Sequence, residues 1–208
     1  MDKTISRERG SMLLHQVVAR GIEDERVLSA LGVVPREPFV PRSLACRVHD
    51  DVALAIGGGR WMPRAHAAAR ALEAARLTES ARVLVVGSSY VATLAAEIAG
   101  IVYSLEEDLE RTRAAEALVT ELGYDNVFCV AGTLSEGLEC IAPFDAIVVC
   151  VTDCGVDPLL AQVDLGGRLV RAGGPFGDGL VVWKRTSEQE LWREEVAHVG
   201  DVVHAGAA

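Results

Sequence analysis

The sequence predicts an α/β fold: a doubly wound, mostly parallel sheet with antiparallel strands near its C-terminal end and a helical extension at its N-terminus. Three observations carry this. From residue 82 onward, short and nearly continuous apolar runs alternate with helical patterns, as strands covered on both faces require. The last apolar runs are joined by turns rich in Gly, Pro and Asp, which indicates a terminal hairpin. Residues 1 to about 34 show helical periodicity instead.

Taken in order, Leu13, Leu14, Val17 and Val18 form one apolar stripe. Val27, Leu28 and Leu31 form another beyond a break at Gly21. "VPREPFVP" places three prolines in eight residues, so any helix ends there and the chain extends. Residues 42–59 read as irregular, ending in "IGGGR" as a flexible loop. "MPRAHAAARALEAARL" has a proline near its start and strong helix formers after it, which predicts a helix. "RVLVVG", "IVYSLEE", "NVFCVAG" and "FDAIVVCV" are then strands, with helices over "YVATLAAEIAG" and "LERTRAAEALVTELG". "GGRLVRAGG", "GLVVWKR" and "LWREEVAHV" complete the set as strands. No internal repeat or long linker divides the chain, so one globular unit is expected.

Composition narrows the function. The 208 residues are half hydrophobic, and the formal net charge of −10 argues against a general nucleic-acid partner or an anionic membrane surface. No apolar run reaches the length of a membrane span, and the N-terminus lacks a secretory core, so a cytoplasmic protein is expected. Five cysteines without framework spacing fit reduced thiols. Cys150 and Cys154 form a C-x-x-x-C pair without a second ligand pair nearby. They read as small buried residues in preference to a redox pair or metal half-site, and no metal is assigned.

Ligands of such sheets bind beyond the carboxyl ends of the strands, near the switch in strand order. Three positions follow: the turn at Gly87 and Ser88, the strand end at Glu106, and the strand end at Gly132. Glu106 lies 19 residues after Gly87, where an acid can grip two ribose hydroxyls. "EEDLE" equally suits a solvated helix start, and position alone leaves both readings open. "GSSY" lacks the flanking glycines of a nucleophile elbow.

"GIEDERVLSALGVVPREPFVP", "ARVLVVG", "VYSLEED", "LGYDNV", "APFDAIVV" and "LGGRLV", in this order and spacing, resemble the protein-L-isoaspartate O-methyltransferases over nearly the whole chain. With "GRWMPRAHAAARAL" and "GTLSEG", the sequence is most similar to a divergent bacterial branch. The resemblance implies a Rossmann-like sheet, S-adenosylmethionine as cofactor, and a protein or peptide substrate methylated on the L-isoaspartyl carboxylate. It divides the chain into a helical and substrate-loop segment at 1–60 and an α/β core at 61–208. It also implies that Glu106 binds ribose, that Asp51 is the acid preceding the active-site loop, and that Gly166 and Gly167 are turn glycines before the fifth core strand.

The departures from the family pattern fall at the chemical sites. The family's G-x-G-x-G-Y turn is here "GSSY", two residues shorter, with Gly87 retained. Its substrate loop, with Thr-Ile-Ser before a proline, is "GGGRWMP", shorter and without a hydroxyl. Its Gly-Asp-Gly beside adenine is Gly132, Thr133 and Leu134, leaving Thr133 as a weaker hydrogen-bonding group. Methyl transfer depends on orientation, so these changes predict weakened, altered or lost transfer and a protein-binding or other non-catalytic role. The alternative is the active repair methyltransferase. Arg64 is a candidate for pairing with a substrate carboxylate, with His66 and Arg70 nearby, although an exposed face of an alanine-rich helix is the plainer reading. His49 could be read as a base, at a position where the resemblance suggests an aromatic residue. Trp61 is a candidate pocket plug or partner contact, and Trp183 and Trp192 read as core residues.

Overall fold

The parallel core follows from four runs of buried β-branched and aliphatic residues, each long enough for one strand. In the computed structural model, which describes residues 3–172, 179–187 and 191–196, these are β3 (Arg82–Val86), β4 (Ile101–Glu106), β5 (Val127–Ala131) and β6 (Phe144–Val149). β3 pairs in parallel with β4 on one side and β6 on the other, and β5 extends the sheet beyond β4. Beyond β6 lie β7 (Val163–Ala172), parallel to it, then β8 (Leu180–Arg185) and β9 (Leu191–Val196), both antiparallel to their neighbours. The seven-stranded order is β5-β4-β3-β6-β7-β8-β9. The chain leaves β3 toward β4 and later returns to its other side as β6. The switch point therefore lies between β3 and β6.

Gly166 and Gly167 are not a turn before a strand; they lie within β7. The register there jumps from Phe144 opposite Val163 to Ala146 opposite Arg168. A Cβ on Gly167 would come within 2.8 Å of the Asp145 carbonyl oxygen, so the close approach of the two backbones at this bulge demands glycine. The expected strands over "GGRLVRAGG" and "LWREEVAHV" are found as β7 and β9; residues 173–174 and 197–199 of those runs lie outside the described residues.

The helices cover both faces. α2 (Glu25–Val33), α3 (Ala65–Ala75), α4 (Ser89–Ala96) and α5 (Leu109–Glu121) follow the predicted runs. α1 (Lys3–Met12) precedes them, and the N-terminal helical stretch ends at Gly21, whose φ of +85° only glycine adopts readily. One apolar cluster joins Met12, Val17 and Leu31 to α3, α4 and one sheet face. A second, on the other face, joins Leu84, Val86 and Ile147 to the short α6 (Asp157–Ala161). α3 is buried almost all round: Ala65 through Ala69, Ala71, Leu72 and Ala75 are inaccessible, and His66 is 0% exposed. The alanines let neighbouring elements approach closely, so the exposed face expected around His66 does not exist. Trp192, expected in the core, is 51% exposed on the edge strand β9, whereas Trp183 packs against the second cluster.

The end of the 42–59 stretch expected to be irregular, with its "IGGGR" loop, is part of an antiparallel hairpin of β1 (Leu54–Gly57) and β2 (Arg60–Met62), and Met62, expected to open the next helix, lies in β2. Gly57, Gly58 and Gly59 all have positive φ and make its turn. Arg36 holds its base: Nε donates to the Val48 carbonyl at 2.6 Å and Nη2 to the Pro63 carbonyl at 2.9 Å. The same guanidinium lies 4.9 Å from the centre of the Tyr90 ring.

Candidate functional site

The chemistry-bearing residues gather where β3, β4 and β6 end. After β3 the chain turns at Gly87, with φ of +78°, and its amide donates to the Leu105 carbonyl at 2.9 Å. A Cβ at this position would lie 2.5 Å from Val151 Cγ1 and 2.6 Å from Arg60 Nη1, so both conformation and space require glycine. Ser88 then caps α4, its Oγ accepting from the Val91 amide at 3.3 Å. This leaves the first turn of α4 facing the crevice.

Glu106 ends β4 and is buried beside this turn. Burial pushes its carboxyl above the usual range; the nearby Arg60 and Arg111 guanidinium groups and a hydrogen bond from the Ser89 amide oppose the rise. Glu107, the next residue, is exposed and accepts from Arg60 Nη2 at 3.2 Å. Arg111 Nη2 donates to the Gly57 carbonyl at 2.9 Å, which ties α5 to the tip of the hairpin. The Gly132 amide donates to the Glu106 carbonyl at 2.9 Å, holding the end of β5 beside the end of β4.

Two adjoining cavities result. One, of about 330 Å³, is lined by Phe39, Ile56, Gly87, Ser88, Tyr90 and Glu106 among others. The second, of about 300 Å³, is lined by Trp61, Glu107, Thr133, Ser135, Cys150 and Asp153 among others. Gly87 and Arg60 line both. Tyr90 is buried, and its hydroxyl finds no hydrogen-bond partner among the described residues although the residue lines the first cavity.

Among the residues expected at the site, Gly87, Ser88 and Glu106 thus meet in the first cavity and Thr133 lines the second. Gly132 acts through its backbone. Asp51 and Arg64 line neither cavity. Asp51 pairs with Arg20, and Arg64 is the residue preceding α3. His49 lies 3.7 Å from both Glu8 and Glu37, and its pKa is lowered, first by burial. Cys150 and Cys154 carry free thiols on the wall of the second cavity; burial pushes Cys150 up to about 12, so it is a neutral thiol at neutral pH. Among the described residues, no three His, Cys, Asp or Glu side chains cluster as a metal site.

In the sequence Arg60 is only a possible replacement donor, beside Thr133 and Arg64, with no place assigned in the site. Composition alone could not show that the hairpin turns it inward.

A seven-stranded sheet of this order, with a glycine turn after its first core strand and a buried acid after its second, defines an α/β methyltransferase fold. The protein-L-isoaspartate(D-aspartate) O-methyltransferase family model matches residues 8–202. A protein-L-isoaspartate O-methyltransferase from a Picosynechococcus strain is 40% identical over 182 residues, covering 86% of this chain and 82% of its own. Protein-L-isoaspartate O-methyltransferase 1 of Geotalea uraniireducens is 36% identical over 211 residues, covering 99% and 96%. The chain belongs to the protein-L-isoaspartate(D-aspartate) O-methyltransferase family. Two solved structures show the shared fold. A protein-L-isoaspartate O-methyltransferase superposes with a TM-score of 0.74 at 22% identity, covering 91% of this chain and 63% of that one. A Plasmodium falciparum structure, described as a beta-aspartate methyltransferase in complex with S-adenosyl-L-homocysteine, superposes with a TM-score of 0.69 at 18% identity, covering 90% and 94%.

Proposed function

We propose that this protein binds S-adenosylmethionine in the double crevice and methylates the free α-carboxylate of L-isoaspartyl residues in damaged proteins, with transfer weakened relative to the family. The observation that carries the reading is the buried Glu106 carboxylate, placed at the end of β4 beside the Gly87 turn. A carboxylate there suits a ribose diol, because it accepts two hydroxyl donors. The acids Glu106 and Asp153, one on each cavity, also suit a cationic sulfonium. The turn from Gly87 to Ser89 would hold the amino-acid end, and Gly132 and Thr133 the base.

Bound S-adenosylmethionine supplies an activated methyl group. The isoaspartyl carboxylate is already ionised at neutral pH, so no general base is needed and the protein's contribution is orientation. Cys150, a neutral thiol, does not compete for the methyl group. The weakening comes from the hairpin and the shortened turn. Arg60 and Met62, ahead of Pro63, stand where the family has its hydroxyl residues, and a loss of ~4 kcal/mol of transition-state stabilisation would slow transfer about a thousandfold. No role on the substrate is assigned to Asp51 or Arg64. The absence of any helix long and apolar enough to span a membrane, among the described residues, accords with action on soluble proteins in the cytoplasm.

A second reading, in which the fold is kept for protein binding without catalysis, is favoured by one observation: the Arg60 guanidinium packs directly on Gly87, in the approach to the turn. Calorimetric titration with S-adenosylhomocysteine, followed by methylation of an isoaspartyl peptide against its aspartyl counterpart, separates the two. Binding with slow, isoaspartyl-selective transfer supports the proposal. Binding with transfer as fast as that of a family enzyme overturns the weakening, and no binding favours the second reading.

A further inference from the structure

Arg60 is the one residue other than Gly87 that lines both cavities, and it is an arginine held almost wholly out of water, with 10% of its side chain exposed. A buried guanidinium is costly unless it is paired and hydrogen-bonded. The partner it reaches, Glu107, is 68% exposed, lies at 3.2 Å and makes a single contact through Nη2. That is the geometry of a weak, exchangeable ion pair, not of a locked structural one. Nη1 meanwhile points at the floor of the crevice, against Gly87, and the charge of Arg60 is felt by Glu106 on one side and by Cys150 and Cys154 on the other. Beside it in the first cavity, the Tyr90 hydroxyl is buried without a partner. Its ring is fixed by Phe39, at 5.3 Å and edge-on, and by Arg36. Where its two halves meet, the crevice thus holds a planar cation with one single-contact partner and, in the first cavity, a buried hydroxyl without a partner among the described residues.

Resting on the proposal above, we infer that Arg60 is the carboxylate-binding residue of this crevice, exchanging Glu107 for a carboxylate of the bound ligand. The planar fork of arginine matches a carboxylate through two parallel N–H donors, which Glu107 at its present distance does not satisfy. The carboxylate has two sources: the amino-acid end of the cofactor, or the isoaspartyl residue of the substrate. The shared chemistry is the same, and no bond is made or broken in the exchange. Glu107 swings into solvent, from which it is already largely accessible.

The test compares ligand pairs that differ in one carboxylate. Calorimetry measures S-adenosylhomocysteine against its decarboxylated analogue, and fluorescence anisotropy measures a labelled isoaspartyl peptide against the matching α-carboxamide on protein saturated with S-adenosylhomocysteine. In one of the two arms the wild-type protein prefers the carboxylate about 10- to 100-fold, the range expected of one charge-assisted hydrogen-bonding group. Arg60→Met reduces that preference to less than about twofold while retaining affinity for the ligand lacking the carboxylate, which shows that the site is still folded. Glu107→Gln, which removes the competitor, strengthens the carboxylate ligand severalfold. Preference in the first arm identifies the cofactor as the source, and preference in the second identifies the substrate. No preference in either arm, or a preference that survives Arg60→Met, overturns the inference while leaving the cofactor reading intact. Failure of the wild type to bind either nucleoside overturns both.

Discussion

Replacing Gly87 by alanine tests whether the turn is shaped by its neighbours or only by its dihedral. A left-handed residue other than glycine costs about 1–2 kcal/mol, offset by ~0.4–1 kcal/mol from the smaller entropy of the unfolded chain. At Gly87 the added Cβ also meets Val151 Cγ1 at 2.5 Å and Arg60 Nη1 at 2.6 Å. The arginine end can swing away, but Val151 is partly buried against the second apolar cluster and yields less. Overpacking of that kind costs about 1–3 kcal/mol, so Gly87→Ala should lose about 2–4 kcal/mol in all. Gly123 is the control, because its φ is +86° and a Cβ there meets nothing within 4 Å. Gly123→Ala should lose ~1 kcal/mol or less. Urea unfolding of both variants, with Gly87→Ala combined with Val151→Ala as a third, measures the difference. Equal losses at the two glycines, or no recovery when Val151 is shortened, would refute the steric account.

Two further predictions concern the crevice. Because burial raises the Glu106 pKa, a ligand that needs its carboxylate form should bind best above that raised value and weaken as the pH falls through it, at a higher pH than for an ordinary glutamate. Arg60→Met removes the largest opposing charge, so the loss should begin at still higher pH; a calorimetric pH series in which the midpoint stays fixed or moves down would contradict this. At pH 8, iodoacetamide should modify the exposed Cys46 and Cys140 and leave Cys150, raised to about 12, unmodified over the same period. Peptide mapping that finds Cys150 labelled as fast as Cys140 would show that its thiol is not suppressed.

The central sheet was legible because Val83–Val86 and Ala146–Val149 are continuous buried apolar runs, and a strand covered on both faces leaves no polar interruption to blur its ends. Glu106 and Gly87 were legible for the same reason: a strand end fixes the position of the next residue. The hairpin at 54–62 was not. Its strands of four and three residues are too short for alternation to register, and its three glycines read equally well as a flexible loop. What orders it is tertiary, namely Arg111 at the Gly57 carbonyl and Arg36 at its base. The inward placement of Arg60 followed the hairpin out of view. His66 was misplaced because alanine flanks both exposed and tightly packed helices, and only the partners of α3 distinguish the two.

The Arg36 clamp has a consequence for how the crevice can vary. One guanidinium fixes the carbonyls of Val48 and Pro63, one on each side of the hairpin, so the base is tied at one point, as the tip is tied at another by Arg111. Side chains of the hairpin that face the crevice, Arg60 and Trp61 among them, can be exchanged without altering either backbone anchorage, whereas Leu54 and Met62 on the same strands belong to the apolar cluster beneath. Keeping Arg36 and Arg111 therefore leaves the hairpin backbone in place while the side chains it presents to the crevice change.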